Sequence, residues 1–502
     1  MHNKSLSELF NLIHALSKGE KRYFKLYARS RSSHLDNINY IDLFDAIAKQ
    51  QEYNEEQIVQ LGIVKKAHLR MLKNYLYNLI MESLRSLHSK GENIDNRLTN
   101  MLKNMHIMRD KGLQEEEIKY FTKAKALALK HERWGIALEA MLGERKAAIR
   151  MQDFKALKRI KTEMKLFFTK LNNLKEYMVL QGKVSDFLQK AGMQRGIKNS
   201  ILKKLMAHPL LKDENKGLSV ESKGIYYNTL LHYYFFMGNN AAGYKMIAKH
   251  MRLLYDTGIQ LPELTYMGLL NNFTIVQHNL GKYEEAYSTI QKHRSLLKKS
   301  ETAKEHALID LYINEINHYI FTGMFEKGAA LVKEVENKID TDKAETPAAI
   351  LLYYNIATIY FYQDNYHKAL LWINKIINRP HFSFREDMQS WARILQLLIH
   401  YELNTPDITD HLIISVYRFL LKREKLYKVE KSILNFIRRL SKIDATRKAL
   451  LEEFRRFRNE LLKITKSPDE KKALEYFDLI SWLKSKIENR SLAEIVREKI
   501  QK

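Results

Sequence analysis

Residues 269–293 read LLNNFTIVQHNLGKYEEAYSTIQKH, and this stretch decides the fold. An apolar helical run reaches Leu280-Gly281, Tyr283 follows the glycine, and Glu284-Glu285-Ala286 opens a second amphipathic helix. Glycine at the join fits the left-handed residue that ends a helix. The two acidic residues suit the positive end of the next helix dipole. Residues 350–380, ILLYYNIATIYFYQDNYHKALLWINKIINRP, repeat the pattern with Asp364 at the turn, Tyr366 after it, Ala369 beyond and Pro380 at the end. Residues 311–335, LYINEINHYIFTGMFEKGAALVKEV, place Gly323, Phe325 and Gly328 at the matching points.

The turn residues Gly281, Gly323 and Asp364 lie 42 and 41 apart, and Gly238 stands 43 before Gly281. Carrying that period outward meets Gly112, Gln152 and Gly192 upstream and Asn404 downstream, eight markers with a mean spacing of about 42. Each marker predicts a helix–turn–helix unit. The aromatic two residues on (Tyr283, Phe325, Tyr366) wedges between the helices, and the small residue three further (Ala286, Gly328, Ala369) lets them close up. This pattern resembles the tetratricopeptide repeat, although its period exceeds the usual ~34 residues and the terminal proline recurs only at Pro380. The resemblance covers roughly residues 95–425 and implies an all-α, right-handed superhelical solenoid with a long concave surface.

Composition agrees. The chain has 502 residues, 45 % of them apolar, with only 18 Gly and 6 Pro. That is about 5 % Gly plus Pro where an average protein has roughly 12 %. Folds rich in tight turns and phosphate loops are therefore disfavoured. Cysteine is absent, which excludes disulfides, thiol nucleophiles and cysteine-ligated metals. The longest apolar run, Ala348–Tyr362, has 15 residues, short of the ~20 that span a bilayer. Glu8 interrupts the first apolar stretch and no signal-peptide cleavage site follows, so a cytoplasmic protein is expected.

Residues 1–90 read as five helices, at 6–16, 18–28, 39–50, 55–61 and 64–87. They predict an N-terminal helical cap, within which residues 40–88 also fit a helix-turn-helix DNA reader through Lys65, Lys66, Arg70 and Lys73. Residues 91–425 form the repeat region. Residues 426–502 predict a basic C-terminal cap ending in helices at 473–487 and 491–500.

Catalytic signatures are missing. The 18 histidines are never closer than 11 residues, so none forms a zinc pair on one helical turn. No phosphate loop, dinucleotide fingerprint or nucleophile elbow occurs. A non-enzymatic protein with no cofactor and no metal is expected.

Binding is the remaining function. Asn272, Asn314 and Asn355 each stand 11 residues before a turn aromatic, and Asn228 is near the equivalent place. In tetratricopeptide repeats this first-helix position faces the groove, so the resemblance implies a partner-binding set of Asn228, Asn272, Asn314, Asn317, Asn355 and Tyr362. An amide can hold a peptide backbone because it both donates and accepts. The same amides would equally serve the scaffold by bonding neighbouring helices.

Charge offers a second reading. With 84 Lys+Arg against 58 Asp+Glu the net charge is +26, concentrated at residues 151–200 (11 basic, 4 acidic) and 418–458 (14 basic, 5 acidic). Residues 301–350 are the opposite, with 5 basic and 10 acidic. Lys155, Lys158, Arg159 and Lys161, with Arg438, Arg439, Arg455, Arg456 and Arg458, are the candidates for nucleic acid or an acidic partner. The leading expectation is a protein–protein interaction scaffold that holds a peptide or acidic partner in its groove. An RNA-, ribosome- or DNA-associated protein, including a transcriptional regulator, is the alternative.

Overall fold

The repeat markers are left-handed residues. In the computed structural model, Gly112, Gln152, Gly238, Gly281, Gly323, Asp364 and Asn404 all have φ between 51° and 73°. Each closes a helical hairpin. At the central copy the Lys282 amide donates to the Gln277 carbonyl at 2.9 Å, and Met324 to Tyr319 and Asn365 to Tyr360 do the same at 2.9 Å. These bonds satisfy carbonyls that the ending helix leaves open. The described residues are 4–31, 39–88, 94–191, 200–299, 305–339, 346–379, 385–440, 442 and 446–501. The markers Gly192 and Pro380 lie outside them. Among the described residues the chain is all-α, with no strand.

The chain divides into two compact units, residues 1–168 and 169–502. The first unit opens with α1 (Lys4–Ala15), α2 (Lys18–Arg31), α3 (Asn39–Lys49), α4 (Glu55–Gln60) and α5 (Lys66–His88). Their bounds fall within about three residues of the sequence reading. They enclose a core around Ile13, Phe24, Leu43, Phe44 and Ile80. Then come α6 (Ile94–Asp110), α7 (Gln114–Lys130), α8 (Trp134–Arg150) and the start of α9 (Phe154–Ala191), which the division crosses. Gly143 in mid-α8 earns its place sterically, because a Cβ there would fall on the Phe121 ring. The Glu115–Glu117 run does more than complement a helix dipole. Glu117 is buried and takes Arg109 at 2.7 Å and Arg150 at 2.5 Å.

The second unit continues with α10 (Ser200–Met206), α11 (Val220–Phe236), α12 (Asn240–Thr257), α13 (Glu263–Asn279), α14 (Tyr283–Lys299), α15 (Glu305–Thr322), α16 (Phe325–Lys338), α17 (Pro347–Tyr362), α18 (Tyr366–Ile377), α19 (Glu386–Glu402) and α20 (Pro406–Lys422). From α11 onward these pack as consecutive hairpins, and the first helices α13, α15, α17 and α19 also touch in sequence. The small residues are enclosed as expected, but of the three wedge aromatics only Phe325 is buried, Tyr283 and Tyr366 being half-buried. Phe325 is buried with its ring 4.9 Å from that of Tyr362 in the next hairpin. Ala286 and Ala369 are fully buried, and a Cβ on Gly328 would lie 2.5 Å from Ile359 Cδ1. This is a helical-repeat protein.

The chain ends with α21 (Lys428–Leu440), α22 (Arg447–Ile464), α23 (Pro468–Lys471), α24 (Leu479–Glu488) and α25 (Leu492–Gln501). The single helix expected over 473–487 is broken. Tyr476 stacks on Trp391 at 5.1 Å, Phe477 packs against Phe361 and Tyr362, and Asp478 caps α24 by accepting from the Ser481 amide. Buried Phe477, half-buried Tyr476 stacked on Trp391 and a capping aspartate outweigh helical continuity. No helix among the described residues is long and apolar enough to cross a membrane.

Candidate functional site

The asparagines of the first helices bond one another. Asn314 of α15 donates its amide to Asn271 of α13, and Asn355 of α17 donates to Asn317 of α15 at 2.9 Å. Asn314 is 1 % exposed and its Oδ1 is buried without a partner. Its side chain therefore ties two first helices together. Asn271, not Asn272, is the member on α13, because a one-residue step turns a helical side chain by about 100°. Asn272 and Asn228 are half-buried and do not reach the cavity described next.

Asn317, Asn355 and Tyr362 line a cavity of about 530 Å³. Ile320, Phe321 and Thr358 extend that wall along α15 and α17, and Gly281 and Tyr283 close it at the α13–α14 turn. The facing wall comes from the C-terminal segment, through Lys471, Leu474, Tyr476, Phe477, Asp478, Val496, Lys499 and Ile500. That segment is pinned at several points. Lys472 Nζ donates to the Phe236 carbonyl at 3.0 Å, and the Tyr476 hydroxyl donates to Asp387 at 3.0 Å. The Trp482 indole donates to Glu402 at 2.7 Å, and the Asp478 amide donates to the Tyr362 hydroxyl at 3.4 Å.

The size and lining suit a ligand. Sites for small molecules span about 300–1,000 Å³, with apolar walls and a few placed polar groups. Here the Asn355–Asn317 bond leaves one carbonyl oxygen, on Asn355, and one amide NH₂, on Asn317, which together match a peptide unit. Lys499 is held by Asp478 at 2.9 Å, and Lys471 is exposed at the rim. Burial raises the Tyr283 hydroxyl and lifts Tyr362 well above its ordinary value, so both are neutral donors at pH 7.

Behind Phe321 lies a histidine pair that sequence spacing could not expose. His278 Nε2 and His318 Nδ1 are 3.3 Å apart and their rings stack at 5.5 Å. The Phe321 ring lies 5.3 Å from that of His278. Burial, with the neighbouring His318, pushes His278 down to about 3, and burial, with Lys327, pushes His318 to about 4. Among the described residues no group of three or more His, Asp or Glu is placed to hold a metal.

The basic candidates are spread more thinly. Lys155, Lys158 and Lys161 are exposed on α9, while Arg159 bonds Glu144 at 3.0 Å. Arg439 is taken by Glu453 at 2.5 Å and Arg456 lies 3.8 Å from the same carboxylate. Arg458 Nε is buried without a partner, and Arg438, Arg455 and Arg456 are exposed. In the first unit, Lys65, Lys66 and Arg70 are exposed at the start of α5, but Lys73 is buried on Glu55 at 2.7 Å.

No protein-family model matches this sequence, and no curated protein matches it. Among solved structures, the apo form of the quorum sensor NprR from B. thuringiensis is similar, at 15 % identity and a TM-score of 0.43, over 73 % of this chain and 99 % of that one.

Proposed function

We propose that this is a non-enzymatic peptide-binding protein whose ligand lies in the cavity between α15, α17 and the C-terminal segment. One observation carries the reading. The cavity joins an aromatic wall, Phe321, Tyr283 and Tyr362, to the unspent amide atoms of Asn317 and Asn355. Aromatic and apolar walls favour side-chain burial, and the amides select a backbone. Lys471 and Lys499 at the same rim favour a terminal carboxylate or an acidic side chain.

A displayed random-peptide library, panned on the full chain and on Phe321→Trp, tests it. Phe321 is 36 % exposed at the cavity, so the larger indole fills the space with little cost to the core. Expected is a family of sequences enriched on the wild type and lost on the variant. Equal enrichment on both, with the variant folded by circular dichroism, would remove the cavity from the account.

A second reading is supported in the first unit. The α4–turn–α5 geometry sets Lys65, Lys66, Arg70 and Asn74 outward at the start of a long helix. This is the end by which a helix-turn-helix enters the major groove. Binding to a random 30-base-pair duplex that is salt-dependent and abolished by Lys66→Glu with Arg70→Glu would support it. Binding untouched by those changes would move any DNA contact to the basic faces of α9 or α22.

A further inference from the structure

We infer that the seat of α25 is an exchangeable helix site, which takes from a partner protein an amphipathic helix with the charge layout of α25. The two last helices are held very differently. In α24, Leu479, Trp482 and Leu483 are at most 2 % exposed, and Lys486 adds a 2.6 Å bridge to Glu402. Among the described side chains of α25, Ile495 and Val496 are buried, and Leu492 and Ala493 are half-buried against the core. The link between them is three residues long, beginning at Asn489, whose φ of 51° ends α24.

The polar contacts of α25 are mostly ion pairs. Arg497 Nε donates to the Gly323 carbonyl at 3.0 Å and Nη2 meets Glu326 at 3.4 Å, while Lys499 meets Asp478 at 2.9 Å. Glu498 takes Lys484 at 3.3 Å and Arg490 at 2.8 Å. These pairs are partly exposed, the kind that contributes little each. An element with two buried aliphatics and solvent-screened ion pairs sits at the low end of local stability.

The seat itself is shaped for a helix. A Cβ on Gly323 would lie 2.9 Å from Arg497 Cγ and 3.2 Å from the Ala493 carbonyl oxygen. Only glycine lets a helix backbone cross this corner so closely. The seat also presents two carboxylates, Glu326 and Asp478, to the cations Arg497 and Lys499. The fitting partner segment is therefore a helix with adjacent aliphatics followed by an arginine, a glutamate and a lysine, in the order of Ile495 to Lys499.

This deepens the cavity proposal, since Val496, Lys499 and Ile500 form part of that cavity's wall, but its test reads helix exchange alone. A fluorescent peptide of residues 489–502 serves as the probe in trans. It is titrated into the full wild-type chain and into the full Arg497→Glu chain, whose own helix Glu326 repels. Expected is at least ten-fold tighter binding to the variant, and loss of binding for a peptide that carries Arg497→Glu. A chain with Glu326→Arg should recover the altered peptide. Thermal melting followed by circular dichroism checks that each chain is folded. Equal affinity for both folded chains, or indifference of the peptide to its arginine, would overturn the inference. A concentration-dependent dimer of the Arg497→Glu chain would also overturn it, by giving the seat to a second copy. If exchange fails while Phe321-dependent peptides still enrich, the cavity reading stands without it.

Discussion

Arg497 stands on Gly323: its Nε donates to the glycine carbonyl at 3.0 Å, across 174 residues of sequence. The glycine is constrained twice, by a φ of 66° and by the side chain and backbone of α25 above it. Gly323→Ala should therefore destabilise the chain by about 1–3 kcal/mol, combining left-handed strain with the clash. It should also speed proteolysis after Asn489. Urea denaturation and limited proteolysis check both effects. Unchanged stability would mean that α25 does not rest on this turn.

The amide ladder separates two neighbouring asparagines. Asn314→Ala removes a buried bond to Asn271 and should cost about 1–2 kcal/mol. Asn272→Ala, at a half-buried position outside the ladder, should change stability by less than about 0.5 kcal/mol. Equal effects in chemical denaturation would contradict the assignment of Asn271 as the bonded residue.

The histidine pair sets a pH dependence. Burial holds His278 at about 3 and His318 at about 4 in the folded chain, against 6.5 ordinarily. As pH falls below 6.5 the unfolded chain binds protons that the folded chain refuses, so stability falls with it down to about 4. The slope from each imidazole is on the order of 1 kcal/mol per pH unit. His318→Asn places an uncharged amide near the position of Nδ1 and should flatten that slope. Melting temperatures from pH 4 to 7.5 measure it, and an unchanged profile would assign the pH dependence to other groups.

The repeat was legible because left-handed turns demand particular residues. Seven of the eight periodic markers lie in the described residues, and all seven are left-handed, including Gln152 and Asp364, which carry side chains there. The first five helices were legible from apolar spacing. Of the cavity residues, the sequence reading named Asn317, Asn355 and Tyr362 as binding candidates. Phe321, four residues after Asn317, and Thr358, between Asn355 and Tyr362, share their helical faces but were not singled out. The facing wall was not legible, because it depends on pairings such as Asp478 with Tyr362, 116 residues apart. Nothing local to Tyr476-Phe477-Asp478 distinguishes a helix from a break until Trp391 and Tyr362 are brought against it.

Ligand occupancy of the cavity is the central claim, and amide hydrogen exchange on the full chain, with and without the most enriched displayed peptide, tests it most directly. Expected is slowed exchange in residues 315–322, 353–363 and 472–480, with the start of α5 and residues 418–458 unchanged. Protection confined to those basic segments, or none across the cavity walls at saturating peptide, would contradict it.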